Sequence, residues 1–241
     1  MAELSLESIN VLFSKAEARD KFARLFQYGA RGVVGVISIA QPKVGSRLND
    51  VETKCRALMT NLAGARRTHR WFKELPVLKS IPASLSIANP VDRVLDVITK
   101  IFLASFFITD HVGHLKQWKL LPGGKRAGSG SVQLGLKFFC VSNIAGAIYQ
   151  MRHYLRLSAA KDDKEQEKDS CVKQLVKHLL LIVQTAHVST LYPTHDAIAG
   201  FFGVITSYLD VQGQWPAAKP KALPAAPTVI DGVQGKPVKS S

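Results

Sequence analysis

The stretch DKFARLFQYGARGVVGVISIA, from Asp20 to Ala40, constrains the fold of this chain more than any other segment. When its residues are placed at helical steps of about 100°, the apolar residues fall in one sector and the polar residues fall opposite them. This spacing fits a β-strand poorly, and Pro42 is expected to end the helix. The apolar sector contains Phe22, Leu25, Phe26, Gly29, Val33, Val36, Ile37 and Ala40, and the polar side contains Lys21, Arg24, Gln27, Arg31 and Ser38. The pattern predicts an amphipathic helix with a basic side.

A second amphipathic helix is predicted from Arg47 to Ala65, and a basic cluster follows it. The apolar face of this helix contains Leu48, Val51, Cys55, Leu58, Met59 and Leu62. The basic cluster places Arg66, Arg67, Arg70 and Lys73 around Trp71 and Phe72. Helices of this kind occur on the outside of soluble bundles and in the plane of a membrane leaflet, and the pattern alone favours the soluble bundle.

The later segments are more apolar. A helix is predicted to begin at Asn89-Pro90, with Asn as the cap and Pro at the first helical position. It continues through several charged residues, so we interpret it as buried or interfacial, with a tilted span as the alternative. A further helix is predicted from Val132 to Leu157. The run from Ala197 to Leu209 resembles a short span, because aromatic residues follow it at headgroup level.

These segments predict an all-α, membrane-associated protein with amphipathic helices at the N-terminus and one or more hydrophobic transmembrane helices at the C-terminus. We divide the chain into four parts: a basic amphipathic region at 1–120, a Gly-rich linker at 121–131, a hydrophobic region at 132–213 that contains a charged loop at 158–170, and a disordered Pro/Ala/Lys tail at 214–241. Gly200 and Gly203 are expected to permit close helix contact. The number of spans stays open at one, two or three.

The charge balance restricts the partners. A formal net charge of +14 favours nucleic acid, an anionic lipid surface or acidic proteins. Nucleic acid is disfavoured, because the helices after Ile98 are too apolar and no DNA-reading motif is present. Three widely spaced cysteines suit a reducing compartment, and the N-terminus does not resemble a secretory signal.

The sequence offers no support for an enzyme or for a cofactor. We find no nucleophile with an adjacent base, no paired carboxylates in a cleft and no nucleotide-binding loop. Asp110, His111 and His114 have a spacing that places them on one helical face, but a metal site there needs further ligands.

Four blocks of the sequence, in order, resemble the peroxin-eleven family of peroxisomal membrane proteins. The first is RDKFARLFQYGAR, with its Gln-Tyr-Gly, and the second is LAGARRTHRWFKELPVLKSI, with basic residues after a small-residue turn. The third is FFITDHVGHLKQWKLL and the fourth is the glycine-containing GFFGVITSYLDVQGQW. The four blocks span nearly the whole chain up to about residue 215.

The resemblance implies an integral protein of the peroxisomal or glycosomal membrane with cytosolic termini. Members of the family curve and elongate the membrane and promote organelle division, and they self-associate and cooperate with the fission machinery. With the resemblance, the membrane interpretation of the early helices is favoured over the soluble bundle. We therefore predict contact with an anionic membrane through Phe22, Leu25, Phe26, Val33, Leu48, Val51, Leu58, Met59, Leu62, Arg66, Arg67, Arg70 and Lys73.

The alternative function is a pore or carrier for small metabolites in the same membrane. Some members of the family are reported to act in this way. Polar groups at membrane depth usually serve a pathway. On this alternative the lining comes from Lys137, Ser142, Asn143 and Gln184.

Overall fold

A computed structural model describes residues 5–123, 128–160 and 164–216, and every regular element in these ranges is an α-helix. The all-α prediction is therefore confirmed. The helices are α1 (Leu6–Ser14), α2 (Ala16–Ala40), α3 (Arg47–His69), α4 (Glu74–Lys79), α5 (Ile81–Leu85), α6 (Pro90–Gln117), α7 (Ser129–Ala159), α8 (Glu165–Val188) and α9 (Asp196–Gln214).

Local signals explain where several helices begin. The Asn89 side chain accepts hydrogen bonds from the backbone N–H groups of Val91 and Asp92, so α6 has the predicted cap with Pro90 in its first turn. Ser46 caps α3 in the same way. The helix α7 begins at Ser129, inside the predicted linker, and 124–127 lie outside the described residues.

Two other predicted segments are only partly described. The predicted charged loop at 158–170 overlaps both neighbouring helices, because α7 ends at Ala159 and α8 begins at Glu165. Residues 161–163 lie outside the described residues. Of the predicted tail at 214–241, residues 217–241 lie outside the described residues.

The six long helices form a ring. Along this ring α3 packs on α2, α2 on α9, α9 on α8, α8 on α7 and α7 on α6, and α3 then touches α6. The short helices α4 and α5 also pack on α6. This order brings helices from both ends of the chain together around one centre.

Glycines set the distance between α2 and α9. A Cβ atom on Gly200 would lie 2.4 Å from the Cα of Gly32, and one on Gly203 would lie 2.2 Å from Cγ of the Tyr28 ring. A Cβ atom on Gly35 would lie 2.1 Å from the backbone nitrogen of Ala197. No side chain fits at such distances, so glycine permits the two backbones to approach each other closely. The structure thus places Gly200 and Gly203 directly against α2.

The distribution of polarity is the reverse of that in a water-soluble bundle. Among the described residues, sixteen polar or charged side chains are buried, while thirty-five large hydrophobic side chains are exposed. In soluble proteins Asp and Arg are almost never fully buried unless they are paired. The described residues thus combine several buried charges with many exposed apolar side chains, a combination also found in helical membrane proteins.

The helix α7 shows this distribution most clearly. Of the described helices, α7 is the one long and apolar enough to cross a membrane, and only 39% of its most apolar window is buried within the bundle. The predicted short span at 197–209 lies within α9, which has 19 residues but is not apolar enough to qualify as a candidate span. The exposed side of α7 is formed by Leu134, Val141, Ile144, Ile148, Met151 and Leu155, and the buried side includes Ser142, Asn143 and Gly146.

Candidate functional site

A cavity of about 590 Å³ lies at the centre of the ring, and we call it the central cavity. Its polar wall comes mainly from α2, α3 and α8, and its apolar wall comes from α6 and α7. The apolar wall includes Leu103, Phe106, Phe107, Leu136 and Phe139. Most of the charged residues that the bundle buries, namely Asp20, Arg24, Asp110 and Asp210, line this cavity, so it is the candidate functional site.

The polar side of α2 faces the central cavity. Asp20, Arg24, Gln27 and Arg31 follow one another at steps of three or four residues, so a helix directs them to one side. Arg24 is 5% exposed, whereas Phe26, Val33 and Val36 on the other side of α2 are 52%, 43% and 62% exposed. The helix therefore turns its charges inward and its apolar residues outward.

Asp20 holds the C-terminal end of α3 against α2. Arg66 donates from Nε to Oδ1 of Asp20 at 3.0 Å and from Nη1 to Oε1 of Gln27 at 2.5 Å. Arg70 and Lys73 approach the same carboxylate at 4.0 and 3.6 Å. Burial alone would raise the pKa of Asp20, but the positive charges of Arg66 and Arg70 outweigh it and hold that pKa well below its usual range.

Asp110, on α6, likewise pairs with arginines from the end of α3. Its carboxylate lies 3.4 Å from Nε of Arg67 and 3.3 Å from Nη2 of Arg70. Since Arg70 approaches both Asp20 and Asp110, it connects α2 and α6 through the end of α3.

The histidines beside Asp110 take part in packing. His111 stacks on Trp71 with ring centroids 5.0 Å apart, and its Nε2 lies 3.1 Å from the carbonyl oxygen of Arg70. Within the described ranges no group of three or more His, Cys, Asp and Glu side chains is arranged to hold a metal ion.

A second charged group connects α2, α8 and α9. Arg24 donates to Oδ2 of Asp210 at 3.2 Å, to Oε1 of Gln184 at 2.9 Å and to Oγ1 of Thr206 at 2.9 Å. Asp210 also pairs with Lys21 at 2.9 Å and with Lys177. This buried carboxylate on α9 therefore balances positive charges from two other helices, α2 and α8.

The structure separates the predicted membrane-binding residues into two groups. The apolar members lie on the outer surface or half-buried beside it: Phe22, Leu25, Phe26, Val33, Leu48, Val51, Leu58, Met59 and Leu62. The basic members Arg66, Arg67, Arg70 and Lys73 line the central cavity instead, because the acids on α2 and α6 attract them. Membrane contact stays a prediction for the apolar group, whereas in this fold the basic group is directed inward.

Three of the four residues proposed to line a pore lie in the central cavity, and the fourth lies outside it. Ser142, Asn143 and Gln184 are buried and line the central cavity. Lys137 is exposed and is absent from the lining.

Sequence reasoning missed the role of Asp20 and Asp210, and it considered Asp110 only as a metal ligand and not as a partner of Arg67 and Arg70. The available signal was an acid in an apolar or amphipathic helix, because a charge there needs a partner.

An apolar outer surface, a helix long enough to span a bilayer and ion pairs collected inside a bundle are typical of helical membrane proteins. The chain belongs to the family described as Peroxisomal biogenesis factor 11 (PEX11), whose family model matches residues 6–215. The resemblance inferred from the four sequence blocks is therefore confirmed, and the chain is a peroxisomal membrane protein of the peroxin-eleven kind. This is a family of biogenesis factors and is not known as an enzyme family.

One relative is similar to this chain over almost its full length. Peroxisomal membrane protein 11-1 of Oryza sativa subsp. japonica is 26% identical over 240 residues, which cover 91% of this chain and 94% of the relative. No solved structure matches the chain significantly.

Proposed function

We propose that this protein curves and elongates the peroxisomal membrane and promotes peroxisome proliferation and fission, by inserting amphipathic helices into one leaflet and by self-association. Family membership supports the organelle and the membrane. The observation that carries the mechanism is α3, a helix of 23 residues with no buried side chain. A helix so poorly covered by protein has an outer surface free to contact lipid.

The two sides of α3 suit an interfacial position. Leu48, Val51 and Leu58 are exposed on one side. Two ion pairs, the exposed Lys54 with Asp50 and the exposed Arg56 with the half-buried Glu52, make other parts of the helix polar. A helix of this kind lies at the boundary between headgroups and acyl chains, where it expands one leaflet and bends the bilayer.

The apolar contribution can be estimated from exposure. Phe26, Val33 and Val36 on α2 and Leu48, Val51 and Leu58 on α3 are each 41–62% exposed. Full burial of such a side chain is worth about 1.5–3 kcal/mol, so covering the exposed half of all six gives about 4.5–9 kcal/mol before ordering costs. A basic residue near an anionic surface adds about 1 kcal/mol. Because the basic residues at Arg66–Lys73 are directed toward acids inside the bundle and away from its outer surface, apolar insertion dominates on this proposal.

The proposal includes an integral protein with cytosolic termini, in which α7 is the span that retains the wedge in the membrane. A retained wedge accumulates through self-association, and local crowding of wedges increases the curvature. Anionic lipid, further copies of the chain and the fission machinery are the partners that the proposal requires.

Tubulation of anionic liposomes by the reconstituted full chain tests the mechanism. The double variant Leu48→Asp/Leu58→Asp places two charges on the exposed apolar side of α3, and we expect it to abolish tubulation. The matched control Thr53→Asp/Thr60→Asp adds the same charges at exposed positions on the opposite side of the same helix, and we expect normal tubulation. Equal tubulation by both variants would exclude α3 as the wedge.

A second candidate function, a pore or carrier for small metabolites, is favoured by one specific observation. The central cavity is lined by polar groups inside an apolar shell, as a pathway through a membrane protein would be. Conductance of the purified chain in planar bilayers tests it, with Ser142→Leu expected to reduce the current because this buried hydroxyl lines the cavity. If the current is unchanged in Ser142→Leu, any conductance does not pass through the central cavity.

A further inference from the structure

The charges around the central cavity do not balance. Among the described residues that line it, eight are basic and four are acidic. One of the basic residues, Arg31, is neutralised by Asp196 just outside the lining, at 2.5 Å. An excess of three positive charges remains. Four of the basic lining residues, Arg24, Arg66, Arg67 and Arg70, share the three carboxylates of Asp20, Asp110 and Asp210.

This excess is costly in a buried setting. The side chains of Arg24, Arg66 and Arg70 are 6%, 11% and 11% exposed, and the Arg24 and Arg66 charges are close enough to repel one another. A purely structural network would place about one acid beside each buried base, because an uncompensated buried charge destabilises the fold. The residues that line the central cavity therefore carry too few negative charges to balance its positive charges.

An unpartnered donor lies in the same cavity. Gln184 is 1% exposed, and its Oε1 accepts from Arg24, so its Nε2 amide group is free to donate, yet it has no hydrogen-bond partner. Nε of Arg67 is likewise buried without a hydrogen-bond acceptor, although it lies 3.4 Å from Asp110. Buried donors without acceptors are rare in native proteins, and an anion beside Gln184 would give its amide an acceptor.

We propose that the central cavity is a binding site for a small oxyanion that carries carboxylate or phosphate groups, held between Arg24, Arg66 and the amide of Gln184. Guanidinium groups match the planar or tetrahedral oxygens of these anions and form charge-assisted hydrogen bonds with them. A volume of about 590 Å³ lies within the range of small-molecule sites. The site is independent of membrane bending, since neither α3's outer surface nor self-association takes part in it.

The same oxygens can come from a free anion or from the headgroup of an anionic lipid that reaches between the helices. The test therefore uses the full chain in nanodiscs of neutral lipid, titrated calorimetrically with citrate and with inorganic phosphate. Sodium chloride at matched ionic strength is the reference. Saturable binding of either anion above the chloride reference is expected, and its absence for both would overturn the proposal.

Three variants assign the binding to the cavity. Gln184→Glu replaces the unpartnered amide with a carboxylate that can pair with Arg24, so the fold is retained while anion affinity is expected to fall at least tenfold. Gln174→Glu adds a carboxylate at an exposed position in the cavity lining and is expected to weaken binding at least threefold. Gln166→Glu makes the same change at an exposed position of α8 outside the lining and is expected to change affinity less than twofold.

The results of these titrations show where the anion binds and whether a soluble anion or a lipid headgroup supplies it. Equal affinity in wild type, Gln184→Glu and Gln174→Glu would show that the anion binds elsewhere and would overturn the proposal. Repeating the citrate titration in nanodiscs with anionic lipid identifies the source. Loss of citrate binding there would identify a lipid headgroup as the occupant, and unchanged binding would identify a soluble anion. Because tubulation is not measured, failure here is distinguishable from failure of the membrane-bending proposal.

Discussion

The carboxylate of Asp210 offers the sharpest test of the charged interior. Asp210 is 8% exposed, and it faces Lys21, Arg24 and Lys177 from two neighbouring helices. The substitution Asp210→Asn keeps the shape of the side chain but leaves three positive charges without their common partner. Arg24 retains only its neutral acceptors, Gln184 and Thr206.

The expected loss is large. Removing one partner of a buried ion pair costs about 3–5 kcal/mol, because the remaining charge stays buried and uncompensated. For a chain of this size, a loss of 1 kcal/mol in the free energy of unfolding lowers the unfolding temperature by about 2–4 °C. We therefore expect Asp210→Asn to unfold about 6–20 °C below the wild type, as measured by circular dichroism in detergent.

The chain contains a matched control. Asp50 pairs with Lys54 at 2.7 Å on the exposed surface of α3, with side chains 62% and 74% exposed. Asp50→Asn removes an ion pair of the same chemistry, and we expect a loss of about 0.5 kcal/mol or less because water screens exposed pairs. If Asp210→Asn unfolds at the same temperature as Asp50→Asn, the interior is not the closed, charge-paired core described here.

Further predictions concern packing, pH and the outer surface. Gly200→Leu is expected to separate α2 from α9 and lower the unfolding temperature in the same assay, whereas Gly213→Leu, at a position with open space around its Cβ, should not. Asp20 has a lowered pKa in the fold, so its stabilising effect is fully present above the unfolded carboxyl pKa of about 4 and is lost as the pH falls below it. Stability measured from pH 8 to pH 3 should therefore decline below about pH 4, and the decline should be smaller in Asp20→Asn. Val36→Asp on the exposed side of α2 should weaken co-flotation of the refolded chain with liposomes, while Arg19→Asp at an exposed position near the start of α2 should weaken it less.

Much of the fold could be predicted from the sequence, because helical spacing and capping are local. The segment from Asp20 to Ala40 lies within α2, and the Asn89 cap of α6 lies where the Asn-Pro pair predicted it. The start of α7 at Ser129 differs from the prediction, since the glycines and serines there indicate flexibility but tolerate helix when α6 packs beside them.

The candidate site was predicted less well, because its geometry depends on long-range pairing. The sequence shows that Arg66 and Arg70 lie one helical turn apart, but it does not show that Asp20 lies opposite Arg66. Without that partner, a basic cluster is most simply interpreted as a solvent- or headgroup-facing surface. The apolar residues of α2 raise the same difficulty, because the helical pattern defines two faces but does not say which one meets protein.

The central claim is that the apolar outer surface faces lipid and the charges face inward. Site-directed spin labelling tests it most directly, on a chain whose native cysteines Cys55, Cys140 and Cys171 are replaced by serine or alanine. Labels attached through Val36→Cys and Ile144→Cys are compared with one attached through Thr53→Cys in proteoliposomes. We predict that lipid-dissolved oxygen relaxes the first two more than a water-soluble nickel chelate does, and that the chelate dominates at the third. Dominance of the chelate at all three positions would contradict the account.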